Sequence, residues 1–220
     1  MIIGVCGLIG AGKDTIADYL VNIHQFRRES FANTLKDAVS SVFGWDRELL
    51  EGRTRQSREW REQVDAWWAQ RLGMPNLTPR WVLQYWGTEV VRKGFHDDTW
   101  IASLENKLRK SEDDVVISDC RFPNEIHAIK RAGGIVIRVH RGPDPDWYPL
   151  AEAVNAGPKH IGWSLAKDQL APYNIHASET AWVGTHFDAV LDNNSTMDHL
   201  YAQINGLVQD LLVAKDDPSV

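Results

Sequence analysis

The segment GLIGAGKD at positions 7–14 constrains this chain more than any other. It fits the phosphate-binding loop pattern G-x-x-x-x-G-K-[ST] at every fixed position except the last, where Asp14 stands and Thr15 follows. Gly7, Gly10 and Gly12 carry no side chains, so with Ala11 they let backbone N–H groups converge on an anion. A helix starting near Lys13 adds the positive end of its dipole, and Lys13 adds a mobile cation for the outer phosphates. The flanks agree with this reading. MIIGVCG is a short β-rich apolar run, and KDTIADYLVNIH puts Ile16, Tyr19, Leu20 and Ile23 at helical spacing. A plain glycine turn between strand and helix is the alternative, and it leaves the lysine and the full spacing without a reason.

The rest of the chain repeats the alternation. RESF, ending at Phe31, reads as a second strand. ANTLKDAVSSVFG reads as a helix with Leu35, Ala38, Val39 and Val42 on one face and Gly44 as its stop. In EGRTRQSREWREQVDAWWAQRLG, Trp60, Val64, Trp67, Trp68 and Leu72 form one apolar stripe, with Arg53, Arg55, Arg58 and Arg61 crowding the first turns. Thr78 and Pro79 suit an N-cap and first helical position. The following helix is apolar almost all round, yet Arg80, Gln84, Thr88 and Arg92 recur every four residues. That stripe reads as facing a polar ligand, because the rest of the helix reads as buried.

DDTWIASLENKLRKSE is a further helix, DVVISDC a strand, RFPNEIHAIKRAGG a helix and GIVIRVHR a strand ending at Arg141. Positions 142–180 read as irregular and lid-like, with one short helix around 161–169. FDAVLDNN is a last strand, Ser195 caps a final amphipathic helix, and the tail AKDDPSV reads as frayed. Strands with continuous apolar runs alternating with helices imply an α/β fold with a parallel sheet of about five strands, covered on both faces. The domain reading is one phosphate-loop domain over 1–220, with a helical acceptor-binding insertion at about 45–112 and the lid at about 141–180. Right-handed crossovers bring the loops that follow the strands to one edge.

Composition bounds the function. A net charge of −6 disfavours general coating of nucleic acid, so the arginines matter locally if at all. The first strand starts at Ile2, leaving no room for a signal peptide, and no apolar run approaches a membrane span. Cys6 and Cys120 read as buried reduced thiols, and the location as cytoplasmic. Most of the ten tryptophans read as core. Those exposed in the 60–86 region would suit a homodimer surface.

The strand-end residues supply the chemistry a phosphate loop requires. Asp119 stands where a Mg²⁺-associated acid is expected; capping the next helix is its other reading. Arg121 can grip a phosphoryl oxygen, and Arg141 is placed to close over the phosphates. Lys36 can reach an acceptor phosphate. Of the arginines before Trp60, Arg58 and Arg55 come first. His176, Ser178 and Glu179 form a compact HASE cluster without the ligand number a zinc site needs. Asn193 and Asn194 follow the last strand, where amides can read a base edge or simply form a turn.

Taken in order, these motifs resemble the deoxynucleoside monophosphate kinases of tailed bacteriophages, a family within the P-loop nucleoside-monophosphate-kinase-like group. The resemblance rests on GxxGAGKDT at 7–15, FANTLKDAV at 31–39, RWVLQYWGTE at 80–89, Trp100, SDCRFPNE at 118–125, IVIRVHR at 135–141, HASE at 176–179 and LDNN at 191–194. In that family too, aspartate replaces the last loop hydroxyl, as Asp14 does here.

The resemblance implies transfer of the ATP γ-phosphoryl group to a deoxynucleoside 5′-monophosphate with Mg²⁺. It implies that Gly7, Gly10, Ala11, Gly12, Lys13, Asp14, Thr15 and Asn193 hold ATP, and that Lys13, Arg121 and Arg141 act in catalysis. Asp14, Thr15 or Asp119 hold the metal. Phe31, Lys36, Arg58, Arg80, Gln84, Thr88, Asp119, Arg121 and Glu125 hold the acceptor. No nucleic acid or membrane partner is implied. The segments at 53–79 and 142–175 depart from the family pattern. The alternatives are another P-loop small-molecule kinase, such as a dephospho-coenzyme A kinase, and a nucleotide-binding regulator that transfers nothing.

Overall fold

A computed structural model describes residues 1–216. The chain runs β1 (Ile2–Cys6), α1 (Lys13–His24), β2 (Arg27–Glu29), α2 (Asn33–Phe43), α3 (Arg47–Glu51), α4 (Arg55–Arg61), α5 (Ala66–Leu72), α6 (Pro79–Tyr85) and a π-helical stretch, Trp86–Lys93. It continues through α7 (Thr99–Leu108), β3 (Val115–Ile117), α8 (Pro123–Arg131), β4 (Ile135–His140), α9 (Tyr148–Asn155), α10 (Trp163–Leu170), a 3₁₀ turn at Ala171–Tyr173, α11 (Ala177–Thr180), β5 (Ala189–Asp192) and α12 (Met197–Asp216). These elements form two compact units. One comprises Met1–Ser30 and the chain from Leu108 onward, and the other is Phe31–Lys107.

The first unit is built on a sheet of five strands in the order β2-β3-β1-β4-β5, every neighbouring pair parallel. The inner strands β1 and β3 are buried on both faces, which is why their sequences are apolar without alternation. On one face Ile3, Val5, Ile137 and Val139 pack with Ile16 and Leu20 of α1 and with Leu200, Ile204 and Val208 of α12. On the other, α8 lies so close that a Cβ at Gly4 would come within 2.6 Å of Ile129. The expected α/β sheet with helices on both faces is what forms.

Several details differ from the sequence reading. The second strand ends at Glu29, before Ser30 and Phe31, because it pairs with β3 from Arg27 opposite Val115. The final helix is capped by Thr196 rather than Ser195: its Oγ1 accepts the N–H of His199 at 3.3 Å. A cap lies two or three residues before the N–H it accepts, and Ser195 lies four before His199. Of the tail expected to fray, Ala214–Asp216 continue α12, and 217–220 lie outside the described residues.

The segment at 142–180 is the largest difference. It holds α9, α10, α11 and the 3₁₀ turn rather than one short helix. Pro149 and Pro172 sit in first helical turns, where a missing N–H costs nothing, and Gly157 and Gly162 lie between helices at positive φ. The segment is tied down by Arg138, whose guanidinium stacks over Tyr148 at 4.6 Å and Trp182 at 5.7 Å. Asn155 adds hydrogen bonds to the Thr180 and Val183 carbonyls, at 2.7 and 2.9 Å.

The second unit is a helical cluster around Leu35, Val39, Phe43, Trp45, Leu50, Leu77, Val82 and Trp100, with Trp60, Trp68, Trp81 and Trp86 against it. Phe43 stacks on Trp45 with ring centroids 4.5 Å apart and meets Trp68 at 4.8 Å. Buried indoles require partners, and they have them. Trp45 donates to Asp65 at 2.8 Å, Trp68 to the Phe43 carbonyl at 3.0 Å and Trp100 to the Gly87 carbonyl at 3.0 Å.

The single apolar stripe expected from Trp60 to Leu72 is broken. Asp65 starts a new helix by accepting the Trp68 N–H, so α4 and α5 are separate, and Val64, Trp67 and Leu72 are exposed. Thr78 and Pro79 open α6 as the sequence predicts. The helix that follows does not bury its apolar residues as expected: Tyr85 and Val90 are exposed. After Tyr85 the hydrogen bonds widen to the π pattern, so residues four apart no longer align.

Candidate active site

The loop at 7–13 is held so closely that only glycine fits at two of its positions. Gly7 has φ 151° and Gly12 has φ 109°. A Cβ on Gly7 would lie 2.6 Å from the Val139 carbonyl, and one on Gly12 would lie 2.5 Å from the Asn193 amide nitrogen. Asn193, buried at the end of β5, donates that amide to the Ala11 carbonyl at 2.8 Å. Asn194 accepts the Gly142 N–H at 2.5 Å. Both asparagines therefore brace loops, and Asn193 braces the phosphate loop itself.

Lys13 donates from Nζ to the Gly7 and Leu8 carbonyls at 2.7 and 2.9 Å. Burial lowers its pKa, and the charge of Arg121 lowers it further, against the opposing pull of Glu179, Asp14 and Cys6. Asp14 opens α1 with its carboxylate 86 % exposed and paired with Arg28. Arg28 also holds Asp18 at 2.7 Å and the Ser118 hydroxyl at 3.0 Å, bridging α1 to the end of β3. Thr15 follows on the same first turn, half-buried.

Asp119, beyond β3, accepts the Ser30 hydroxyl at 2.5 Å. Its neighbour Cys120 is fully enclosed; burial and the adjacent Cys6 push that thiol well up, so it is a packing group and not a nucleophile. Arg121 reaches from the same loop to Glu179 at 3.0 Å and Ser178 at 3.4 Å. Glu125 is buried and accepts the N–H groups of Arg121 and Phe122 at 2.8 and 3.1 Å, which fixes the start of α8. Arg141 is exposed just past β4 and makes no ion pair or hydrogen bond among the described residues. The sheet thus brings Lys13, Asp14, Arg121 and Glu179 into one electrostatic group.

The second unit holds its own charged group. Phe31 is buried. Lys36 donates to Glu51 at 2.7 Å, and Arg47 pairs with Glu51 and, at 2.6 Å, with Asp37. Burial would raise the Glu51 carboxyl, but the hydrogen bonds from Lys36 and Arg47 outweigh it and hold it below the usual range. Arg55 pairs with Glu59 at 2.6 Å, and Arg58 donates to the Arg53 carbonyl at 3.2 Å. Arg80 pairs with Glu62 at 2.7 Å, Gln84 is exposed on the same helix, and Thr88 is exposed on the π-helical stretch that follows.

Three residues stand out that the sequence did not rank. Arg61 lies against Gly52, where a Cβ would come within 2.1 Å of its guanidinium, and donates to the Leu50 carbonyl at 3.4 Å. Burial, then the charge of Arg80, lowers its pKa. The crowding of four arginines around Trp60 concealed which one folds inward. Arg28 sat inside an expected strand and gave no signal. Glu179 was visible only as part of HASE, with no partner in view.

The chain is 29% identical to a protein of Acanthamoeba polyphaga mimivirus assigned as a deoxynucleotide monophosphate kinase, covering 93% of this chain and 94% of that one. It is 28% identical to the deoxynucleoside-5′-monophosphate kinase of Escherichia phage T5, covering 57% of this chain and 70% of that one. The chain resembles deoxynucleoside monophosphate kinases. The longer of these likenesses takes in both compact units. No family model matches. Among solved structures, the dephospho-CoA kinase of Campylobacter jejuni is 13% identical with a TM-score of 0.45, covering 96% of each chain. The shikimate kinase of Aquifex aeolicus is 10% identical with a TM-score of 0.43, covering 97% of this chain and 99% of that one.

Asn193→Ala removes the brace on the Ala11 carbonyl. It is expected to cost about 1–2 kcal/mol in denaturant unfolding, the usual loss for a buried hydrogen bond. It should also weaken ATP binding about tenfold in calorimetric titration, because the loop amides lose their fixed aim.

Proposed function

We propose that this chain is an ATP-dependent deoxynucleoside monophosphate kinase, moving the ATP γ-phosphoryl group to a deoxynucleoside 5′-monophosphate and releasing ADP. The observation that carries the proposal is the pairing of a glycine loop fitted to phosphates with a second cation, Arg121, beside Lys13. Two mutually repelling cations held together are costly until a multiply charged phosphate group binds them. Phosphoryl transfer uses them, since charge is spread over the transferred group's oxygens in the transition state. Likeness to two kinases of deoxynucleoside monophosphates supports the choice of acceptor class.

In this reading the loop amides and Lys13 hold the ATP phosphates, Arg121 neutralises the transferred group and Arg141 closes over it. Phe31, Lys36, Arg58, Arg80, Gln84 and Thr88 serve the acceptor from the helical unit, which acts as the acceptor-binding insertion. Lys36 carries its charge there compensated by Glu51, and exchange of that pair for an acceptor phosphate is the role assigned to it. Asp119, Arg121 and Glu125 also serve the acceptor in this reading, Glu125 by fixing the Arg121 backbone. The segment at 141–180 is the lid.

Asp14, Thr15 and Asp119 are hard oxygen donors, which suits Mg²⁺. Among the described residues no cluster of three or more His, Cys, Asp or Glu is arranged to hold an ion alone. That fits a cation taken up with the nucleotide, since Mg²⁺ keeps its waters and binds through one or two carboxylates plus phosphates. When bound it would shield the phosphate charge. Among the described residues no helix is long and apolar enough to cross a membrane.

A coupled ADP-release assay with ATP and dAMP, dGMP, dCMP, dTMP and their ribose forms tests the proposal. Turnover of one or more deoxynucleotides is expected, and a folded, ATP-binding protein that turns over none would refute it. Asp14→Ser restores the hydroxyl of the general loop pattern and frees Arg28. It is expected to raise the Mg²⁺ concentration for half-maximal rate about tenfold. An unchanged Mg²⁺ titration would move the metal to Thr15 or Asp119.

A further inference from the structure

Arg121 and Lys13 are like charges held close together, and each raises the cost of the other's charge. Something must hold Arg121 in place against that repulsion. The loop that carries it fixes only its backbone, through Glu125. Its guanidinium is fixed by a turn almost sixty residues further along the chain. Nη1 donates to Glu179 Oε1 at 3.0 Å and to Ser178 Oγ at 3.4 Å. The Glu179 side chain is only 17 % exposed, whereas that of Arg121 is 42 % exposed, so the carboxylate is the anchored partner.

The turn is itself built to present these two groups. His176 is the N-cap of α11: its Nδ1 accepts the Ser178 N–H at 3.2 Å and lies 2.9 Å from the Ser178 hydroxyl. With Nδ1 as the acceptor, the hydroxyl gives its proton to the ring and accepts from Arg121. The carboxylate also acts on Lys13 directly, raising the pKa that Arg121 lowers. One anion therefore acts on both cations, pairing with Arg121 and opposing the fall in the Lys13 pKa.

We propose that the HASE turn is a clamp, with Glu179 and Ser178 as positioning residues that hold Arg121 in register with Lys13 for phosphoryl transfer. The proposal rests on the kinase reading above. It assigns a role to a segment that is remote from the phosphate loop in sequence and contains no group that need touch a substrate. With Glu179 in place, the guanidinium is aimed before the nucleotide arrives, so aiming it takes nothing from binding energy. Without it, Arg121 swings away from Lys13 and the rate falls while ground-state binding changes little.

The test is a double-mutant cycle with wild type, Glu179→Gln, Arg121→Ala and the double variant, read as kcat and KM for ATP and for the best acceptor. Glu179→Gln is expected to lower kcat about 30-fold with each KM within about threefold, the pattern of an interaction realised in the transition state. In the Arg121→Ala background the same change should cost nothing more, since a positioning residue has nothing left to position. Glu179→Asp should recover part of the rate, and Ser178→Ala should lose about threefold by the same logic. Thermal unfolding of each variant separates a failure to fold from a loss of aim; if Glu179→Gln does not fold, Ser178→Ala carries the cycle.

Multiplicative losses in the double variant, or a Glu179→Gln rate within twofold of wild type, would overturn the clamp while leaving the kinase reading intact. A wild-type protein without turnover would overturn both.

Discussion

The structure depends on a constraint of space: the phosphate loop runs so close to its neighbours that side chains are excluded at Gly7 and Gly12. Val139 on β4 and Asn193 after β5 set that limit, so the loop is shaped by strands that arrive more than a hundred residues later in the chain. Closing the parallel sheet is therefore what completes the site. The amides cannot be aimed until β1, β4 and β5 are in register, and the aim is then rigid.

Charge is distributed by the same logic. In the sheet unit, two arginines near the loop are held by anions. Arg28 carries Asp14 and Asp18, and Arg121 carries Glu179. Arg141 makes no ion pair or hydrogen bond among the described residues. That arrangement separates residues whose position is set in advance from one that is free to respond to a ligand. In the helical unit Lys36 is likewise compensated, and the Arg61 guanidinium lies against Gly52.

Much of this was legible in the sequence, and what was not has physical causes. The loop, the parallel sheet, the stop at Gly44 and the cap at Thr78 all follow from local chemistry, and each is where the sequence places it. The helices at 142–180 were concealed because prolines and glycines read as breakers, whereas here they stand at helix starts and joints. The stripe over Trp60–Leu72 failed because Asp65 caps a new helix, and a cap in mid-pattern looks like an ordinary polar residue. The Arg80–Thr88 spacing presumed an unbroken α-helix, which the wide turn after Tyr85 does not provide. Pairings such as Arg121 with Glu179 span fifty-eight positions, and no local pattern encodes them.

The claim on which the account stands is that the phosphoryl group leaves ATP for a nucleotide and not for water. Incubation with γ-labelled ATP and a deoxynucleoside monophosphate, followed by chromatographic separation of products, measures this directly. The account predicts label in the corresponding deoxynucleoside diphosphate. Label found only as inorganic phosphate, or retained entirely in ATP, would contradict it.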